Sequence, residues 1–276
     1  MVYILVGFFV FLMLLVLLVM HFQFKLFYLA KNKLRILEYH SISTNGFYDQ
    51  ITIKKESLIA QFDFLKMNKY HTMWLSEVEA HQENNIPLPQ KSIVLTFDDG
   101  FLDNYTVLYP ILKAYDFKAV LFVVLGKIGQ KIDWGGEFIS KNDNMRLMDR
   151  TQLEEIGSHI ELGYHTYKHD NYAMLTLEEI EEDLKLCQKV IAHEKLKVFP
   201  ALAYTYGGYY RKKDAKQKAL FELLKKYGIR YGLRIGNRIN VFPFRNKYQI
   251  QRIDIRGGDS FEVFKRKVLL GRKKLL

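Results

Sequence analysis

Two stretches carry side chains whose types and spacing could bind a metal and move a proton. The first is LTFDDGF, Leu95 to Phe101, where Asp98 and Asp99 follow directly on the apolar run Ser92 to Phe97. The second is GYHTYKHD, where His165 and His169 stand four residues apart just after the short run Glu161 to Gly163. Taken alone, Asp-Asp-Gly is good turn and N-cap material, and two histidines in a loop are commonly only solvated. Together they are one aspartate and two imidazoles with a spare carboxylate. Four residues on one helical turn would bring both imidazoles to one side, close enough to share a metal. A set of two His and one Asp leaves coordination positions open, which is the pattern of a catalytic metal site. One aspartate can then bind the metal while its neighbour takes a proton.

Such a reading requires elements that bring both stretches to one place. Short apolar runs alternate with amphipathic segments from Leu34 onward, the signature of successive βα units. Strands are expected at 34–39, 93–97, 119–125, 161–163, 198–203, 230–233 and 249–255. Helices are expected at 57–67, 102–115, from about Thr151, and at 177–193, 215–227 and 260–270. Ser76 with Glu79, Thr151 with Glu154, and Thr176 with Glu179 each fit a capping box at a helix start. About seven strands, each followed by a helix, predict an α/β fold with a parallel sheet, closed as a barrel or open and doubly wound. Both architectures put functional residues at the C-terminal strand ends, where both stretches lie.

Residues 1–20, MVYILVGFFVFLMLLVLLVM, are uncharged and long enough to span a bilayer as a helix. The expected organisation is a transmembrane anchor at 1–22, a basic linker at 23–33 and one domain at 34–276. The anchor lacks the basic start and small-residue cleavage site of a signal peptide. Net charge is +11, which suits an anionic surface. No zinc-finger, RRM or basic-zipper pattern occurs, so nucleic acid is not an expected partner. Cys187 is the only cysteine, which excludes an intrachain disulfide, and it reads as a small buried residue. Lys25, Lys31, Lys33 and Arg35 after the apolar segment favour a cytoplasmic domain by the positive-inside rule.

TFDDG, the HTxxH of His165 to His169, LEYHSI around His40 and the later AYTYGGY resemble the polysaccharide deacetylases, carbohydrate esterase family 4 with its NodB-homology domain. The connecting phrases PQKSIVLTFDDGFLDNY and YPILKAYDFKAVLFV are similar as well, and the likeness runs from about Leu34 to Phe264. It implies a deformed (β/α) barrel of about seven strands and removal of N-acetyl groups from a polysaccharide or lipid-linked glycan, with release of acetate. Asp98 would be the catalytic base; Asp99, His165 and His169 would hold one divalent metal, often zinc. A backbone N–H in the segment Tyr204 to Gly208 would help hold the oxyanion. Family practice also implies an extracytoplasmic domain, against the flanking charges, and that is the expectation adopted.

Departures from the family pattern matter. Asp170 stands where a proline often follows the second histidine. The third motif often carries an arginine that tunes the base, and a proline; Ala203 and Thr205 occupy those places, closer to the biofilm poly-N-acetylglucosamine branch than to the chitin branch. No histidine follows His193 to serve as the general acid. His40 is the candidate for proton donation or substrate contact, with a packing role as its rival. Tyr206 and Gly207 are the candidate substrate contacts, with Trp134 a weaker candidate for sugar stacking. Asp133 reads as solvated, His159 as structural, and the basic C-terminus as a solvated tail. Two alternatives remain open at this point: a catalytically impaired carbohydrate-binding or scaffold protein of a polysaccharide assembly system, and a glycosyltransferase that uses Asp98 and Asp99 as a metal-nucleotide motif.

Overall fold

The structure is a computed structural model that describes residues 11–20, 32–134 and 145–272. Its centre follows from the apolar runs. Eight consecutive residues of β5 (Ser92–Asp99) are buried, because a parallel strand covered on both faces has no solvent side. With β1 (Lys33–Tyr39), β6 (Ala119–Val123), β7 (Ile160–Tyr164), β8 (Val198–Ala203), β9 (Tyr231–Ile235) and β11 (Ile250–Asp254) it makes seven parallel strands. β1 pairs with β11 on one side and, from Arg35↔Ile93 to Tyr39↔Phe97, with β5 on the other, so the sheet closes into a barrel. The remaining strands are peripheral: β2 (Ser41–Ser43) pairs with β3 (Thr52–Lys54), β4 (His71–Thr72) extends β5, and β10 (Asn240–Val241) runs antiparallel to the start of β1.

Alternation along the strands makes two cores. Leu34, Ile36, Val94, Val120, Phe122, Ala201, Leu233 and Ile250 form one cluster inside the barrel, extended by Leu75 and Val78 of α2 (Leu75–Glu83). The intervening residues Leu37, Leu95, Phe97 and Leu121 face outward. There they pack with α1 (Lys55–Met67), α3 (Tyr109–Tyr115), α4 (Arg150–Glu155), α5 (Leu177–Glu194), α6 (Ala215–Lys226) and α7 (Phe261–Leu270).

Helix starts depart from expectation in two places. Thr176 caps α5 with Glu179 as expected: Thr176 Oγ1 accepts from Glu179 N at 3.2 Å and Thr176 N donates to Glu179 Oε2 at 2.7 Å. At α4 the box is instead Asp149 with Gln152, two residues before Thr151. At α2, Ser76 is already inside the helix. The amides of Leu75 and Ser76 donate to Glu161 Oε2 at 3.0 and 3.2 Å, and Trp74 N donates to Glu77 Oε2 at 2.9 Å, so a carboxylate from β7 shares the cap with Glu77 in place of the expected Ser76 and Glu79. The segment expected as one helix at 102–115 opens with a π-helical turn, Asn104–Leu108, before α3. The basic C-terminus is helix rather than tail as far as Leu270, with Phe264 and Val268 buried; 273–276 lie outside the described residues. Residues 11–20 are helical. Among the described residues no helix is long and apolar enough to cross a membrane, and 1–10 and 21–31 lie outside them.

Candidate active site

The C-terminal end of β5 delivers the two carboxylates. Asp98 continues the interior parity of Val94 and Thr96, and alternation alone would send Asp99 to the opposite face. Asp99 has φ 73°, and this left-handed conformation, which aspartate tolerates better than most residues, ends the alternation at the rim.

The histidines come from the segment after β7, and here the expected helical turn is absent. Thr166 and His169 have φ of 64° and 67°, so the segment is an irregular loop. It is pinned at three points: His165 N donates to Val123 O at 2.9 Å, Tyr167 N to Asp183 Oδ1 at 2.9 Å, and Gly126 N to Tyr167 O at 2.9 Å. A Cβ at Gly126 would lie 2.5 Å from that same carbonyl oxygen, so this close approach requires glycine.

Asp99, His165 and His169 converge in consequence. Asp99 Oδ1 lies 3.3 Å from His165 Nε2 and 3.1 Å from His169 Nε2, and one ligand atom from each residue falls within 4.8 Å of the others. His165 Nδ1 meets the carbonyl of Ala203 at 2.9 Å. A carbonyl only accepts, so Nδ1 carries a proton and Nε2 is the nitrogen turned towards the carboxylates; burial lowers the His165 pKa, and the carboxylates raise it by more. His169 Nδ1 is engaged by Tyr206 OH at 3.1 Å. Asp99 Oδ1 is buried and has no hydrogen-bond partner among the described residues. Two imidazoles and an unsatisfied carboxylate oxygen converging in a buried place fit a divalent cation of the nitrogen- and oxygen-binding kind. Burial opposes ionisation of Asp99, but the two imidazoles outweigh it and hold the carboxyl far below its usual range.

Asp98 is held differently. Arg252 of β11 makes a bidentate contact, Nη1 to Oδ1 at 2.6 Å and Nη2 to Oδ2 at 2.7 Å. Arg252 Nη1 also lies 3.3 Å from Thr96 Oγ1, and its Nε is 3.3 Å from Glu38 Oε2. Arg252, Asp98 and Glu38 are all buried inside the barrel. Burial raises the Asp98 pKa, Arg252 together with His165 and His40 outweighs it, and the carboxyl stays ionised. Glu38, farther from compensation, is pushed upward by burial. The arginine that the third motif lacks at Ala203 is thus replaced from another strand. Arg252 and Glu38 were absent from the sequence reading. Their one signal was a charge in register with the interior residues Leu34 and Ile36 of β1 and Ile250 of β11, and neither segment says that the two strands are neighbours.

His40, at the end of β1, has Nε2 3.9 Å from Asp98 Oδ2, and its carbonyl accepts from Asn104 Nδ2 at 3.0 Å. A cavity of about 350 Å³ opens over these groups, walled by His40, Gln50, Trp134, Tyr206, Ile235 and Arg256. Trp134 stacks on His169, centroids 4.5 Å apart and planes at 19°, and Tyr206 meets the same ring edge-on at 4.7 Å. Tyr206 is 56 % exposed and sits at φ 55°, a strained conformation that turns the ring over the site. Gly207 does not join them. Its amide donates to Tyr204 O at 2.8 Å, so that N–H is already engaged, and the residue does not line the cavity. Asp133 pairs with Lys127, Asp170 is exposed, and Cys187 is buried. The carbonyl of His159 accepts from Trp74 Nε1 at 3.2 Å, at the far end of the barrel.

Comparison with known proteins agrees with this geometry. The family model described as polysaccharide deacetylase matches residues 85–232. A poly-β-1,6-N-acetyl-D-glucosamine N-deacetylase of Staphylococcus aureus is 27% identical over 213 residues, covering 76% of this chain and 70% of that protein. A Bacillus subtilis protein named for polysaccharide deacetylase, YxkH, is 28% identical over 178 residues, covering 64% of this chain and 58% of that protein, so the match spans little more than half of its length. Among solved structures, IcaB from Ammonifex degensii superposes with a TM-score of 0.69 at 20% identity, over 87% of this chain and 97% of that one. The Streptococcus pyogenes deacetylase PplD in complex with acetate gives 0.66 at 22%, over 83% and 95%. These structural likenesses show a shared fold.

Proposed function

Because this chain belongs to the polysaccharide deacetylase family, we propose that it hydrolyses the N-acetyl groups of an N-acetylated polysaccharide, with Asp98 as general base and Asp99, His165 and His169 holding one divalent metal, zinc being the expected ion. The observation that carries the reading is the meeting, under one cavity, of an ionised carboxylate and a His-His-Asp cradle, with Asp98 Oδ2 3.8 Å from His165 Nε2. A scaffold protein would have no need of a buried guanidinium that keeps this carboxylate charged, and a nucleotide-sugar site would give the two histidines no work.

A divalent metal bound in the cradle supplies Lewis-acid polarisation of the acetamide carbonyl and eases deprotonation of the attacking water. Each Asp98 oxygen accepts one N–H from Arg252 and keeps a second lone pair, so the carboxylate can still take a proton. Water adds to the carbonyl carbon as its proton passes to Asp98. His40, close enough to exchange a proton with Asp98 through a small shift, delivers a proton to the departing nitrogen. The C–N bond breaks, acetate leaves, and the sugar retains a free amine. Trp134 and Tyr206 offer ring faces against which a sugar can stack.

The apolar segment 1–20 is proposed as a membrane anchor with the domain on the extracytoplasmic side. Residues 11–20 are helical, and their large side chains are all exposed, as a lipid-facing helix requires. Acetate release from β-1,6-linked N-acetylglucosamine oligomers, with zinc and after chelation, tests the activity. Metal-dependent release is expected. No release from several N-acetylated glycans by metal-loaded protein would overturn it.

A further inference from the structure

Charge is not spread evenly over the two ends of the barrel. Connections that lead into the strands lie at the end opposite the candidate site. Six basic side chains there, Lys69, Lys91, Lys195, Lys197, Arg245 and Lys247, take part in no ion pair among the described residues. Lys118 and Arg230 at the same end are neutralised by Glu77 and Glu79, and Asp116 is the acidic residue of these short connections. At the active-site end basic residues outside such ion pairs occur as well, Lys168, Arg211, Lys212 and Lys213 among them, but there the connections also carry the exposed carboxylates of Asp133, Asp149, Asp170 and Asp214, so the signs mix.

Apolar side chains protrude at the basic end as well. Met67 is 81 % exposed just before Lys69, Ile86 51 % in the connection that reaches Lys91, and Val241 49 % in β10 beside the start of β1. The first strand of the barrel also begins here, at exposed Lys33, the strand that follows the apolar segment in the sequence.

We propose that this basic end of the barrel docks on an anionic phospholipid surface, so that the candidate active site faces away from the bilayer. The inference rests on the reading of 1–20 as a membrane anchor. Unpaired lysines with apolar side chains between them suit a headgroup region, where charge attracts and methylenes insert; a nucleic acid or a soluble polyanion would use the charge alone. β5 runs eight residues through the barrel, a strand roughly 26 Å long at ~3.3 Å per residue and a height of roughly 21 Å once tilted by about 36°. A site held that far out reaches a polymer strand and not the sugar next to a lipid headgroup, which selects polysaccharide over lipid-linked glycan as substrate.

The two tryptophans make this testable, since Trp134 is in the active site and half-buried Trp74 lines a cavity of about 620 Å³ at the same end as Lys69 and Lys91, whose wall carries Lys195 and Lys197 together with Glu154, Glu161 and Glu194. The full chain with Trp134→Phe is reconstituted in vesicles of neutral lipid or of neutral plus anionic lipid, and acrylamide quenching of Trp74 is measured. On anionic vesicles quenching should fall about two-fold, and about 0.5 M salt should restore it by screening. Lys69→Gln/Lys91→Gln/Lys195→Gln/Lys197→Gln should abolish the protection, and Lys212→Gln/Lys213→Gln at the other end should keep it. Equal quenching on both lipids, or equal loss in both variants, overturns the docking. Anchor failure is distinguishable, because it would release the protein from both vesicle types in an alkaline wash; protection produced equally by a soluble polyanion would overturn the lipid assignment.

Discussion

Arg252→Met gives the sharpest test of the buried charge triad. The guanidinium makes two bonds to Asp98 and lies 3.3 Å from Glu38, with all three residues buried. Methionine fills much of the aliphatic volume but leaves two carboxylates facing each other without a cation. Removing one partner of a buried pair typically costs about 3–5 kcal/mol. For a chain of this size each kcal/mol lowers Tm by roughly 2–4 °C, so a fall of roughly 6 °C or more is expected. Glu38→Gln added to Arg252→Met should recover part of the loss, because one unpaired charge disappears with it. Activity carries a second signature. Arg252 holds the Asp98 pKa down, so without it the base protonates at higher pH and the acid limb of kcat/KM moves up. Denaturant unfolding of parent, single and double variants, with a pH-rate profile, measures both. Stability of Arg252→Met within ~0.5 kcal/mol of the parent, the scatter of ordinary surface substitutions, would refute the argument.

Asp99→Ala should lose bound metal and activity together, whereas Asp98→Asn should keep metal and lose roughly 10²–10⁴-fold in kcat, the usual range for a general base; metal content with acetate release separates the two. His40→Ala should slow turnover without removing metal, and an unchanged rate would return His40 to a packing role. Asp103, raised to about 7 by burial against the bonds from Ser41 and the Ile42 amide, binds a proton more tightly folded than unfolded. Its contribution is therefore full at low pH and is lost as pH rises towards 7, so Asp103→Asn should flatten part of the pH dependence of the denaturation midpoint between about pH 4 and pH 7.

Much of the fold is legible in local pattern. A strand buried on both faces must be apolar throughout, so β5 and β6 declare themselves, and Thr176 with Glu179 marks the start of α5 because a cap is a local hydrogen bond. Where a distant group shares the cap, the local signal misleads: Glu161 of β7 caps α2 with Glu77, and Ser76 is left inside the helix. The candidate metal cradle is legible in kind but not in geometry. Asp99, His165 and His169 could be named from type and spacing, while the expected helical turn is a loop held by Val123, Asp183 and Gly126.

Sequence by itself determined the residue types at the strand ends and the parallel alternation that carries them to one rim. Tertiary structure alone decided the partner of Asp98, the proposed base. Asp98 and Arg252 are 154 positions apart, and only closure of the barrel, with β1 between β5 and β11, puts guanidinium against carboxylate inside it. Pattern within a strand reports which face a side chain takes; which charge waits across the barrel is fixed by how the ends of the sheet meet.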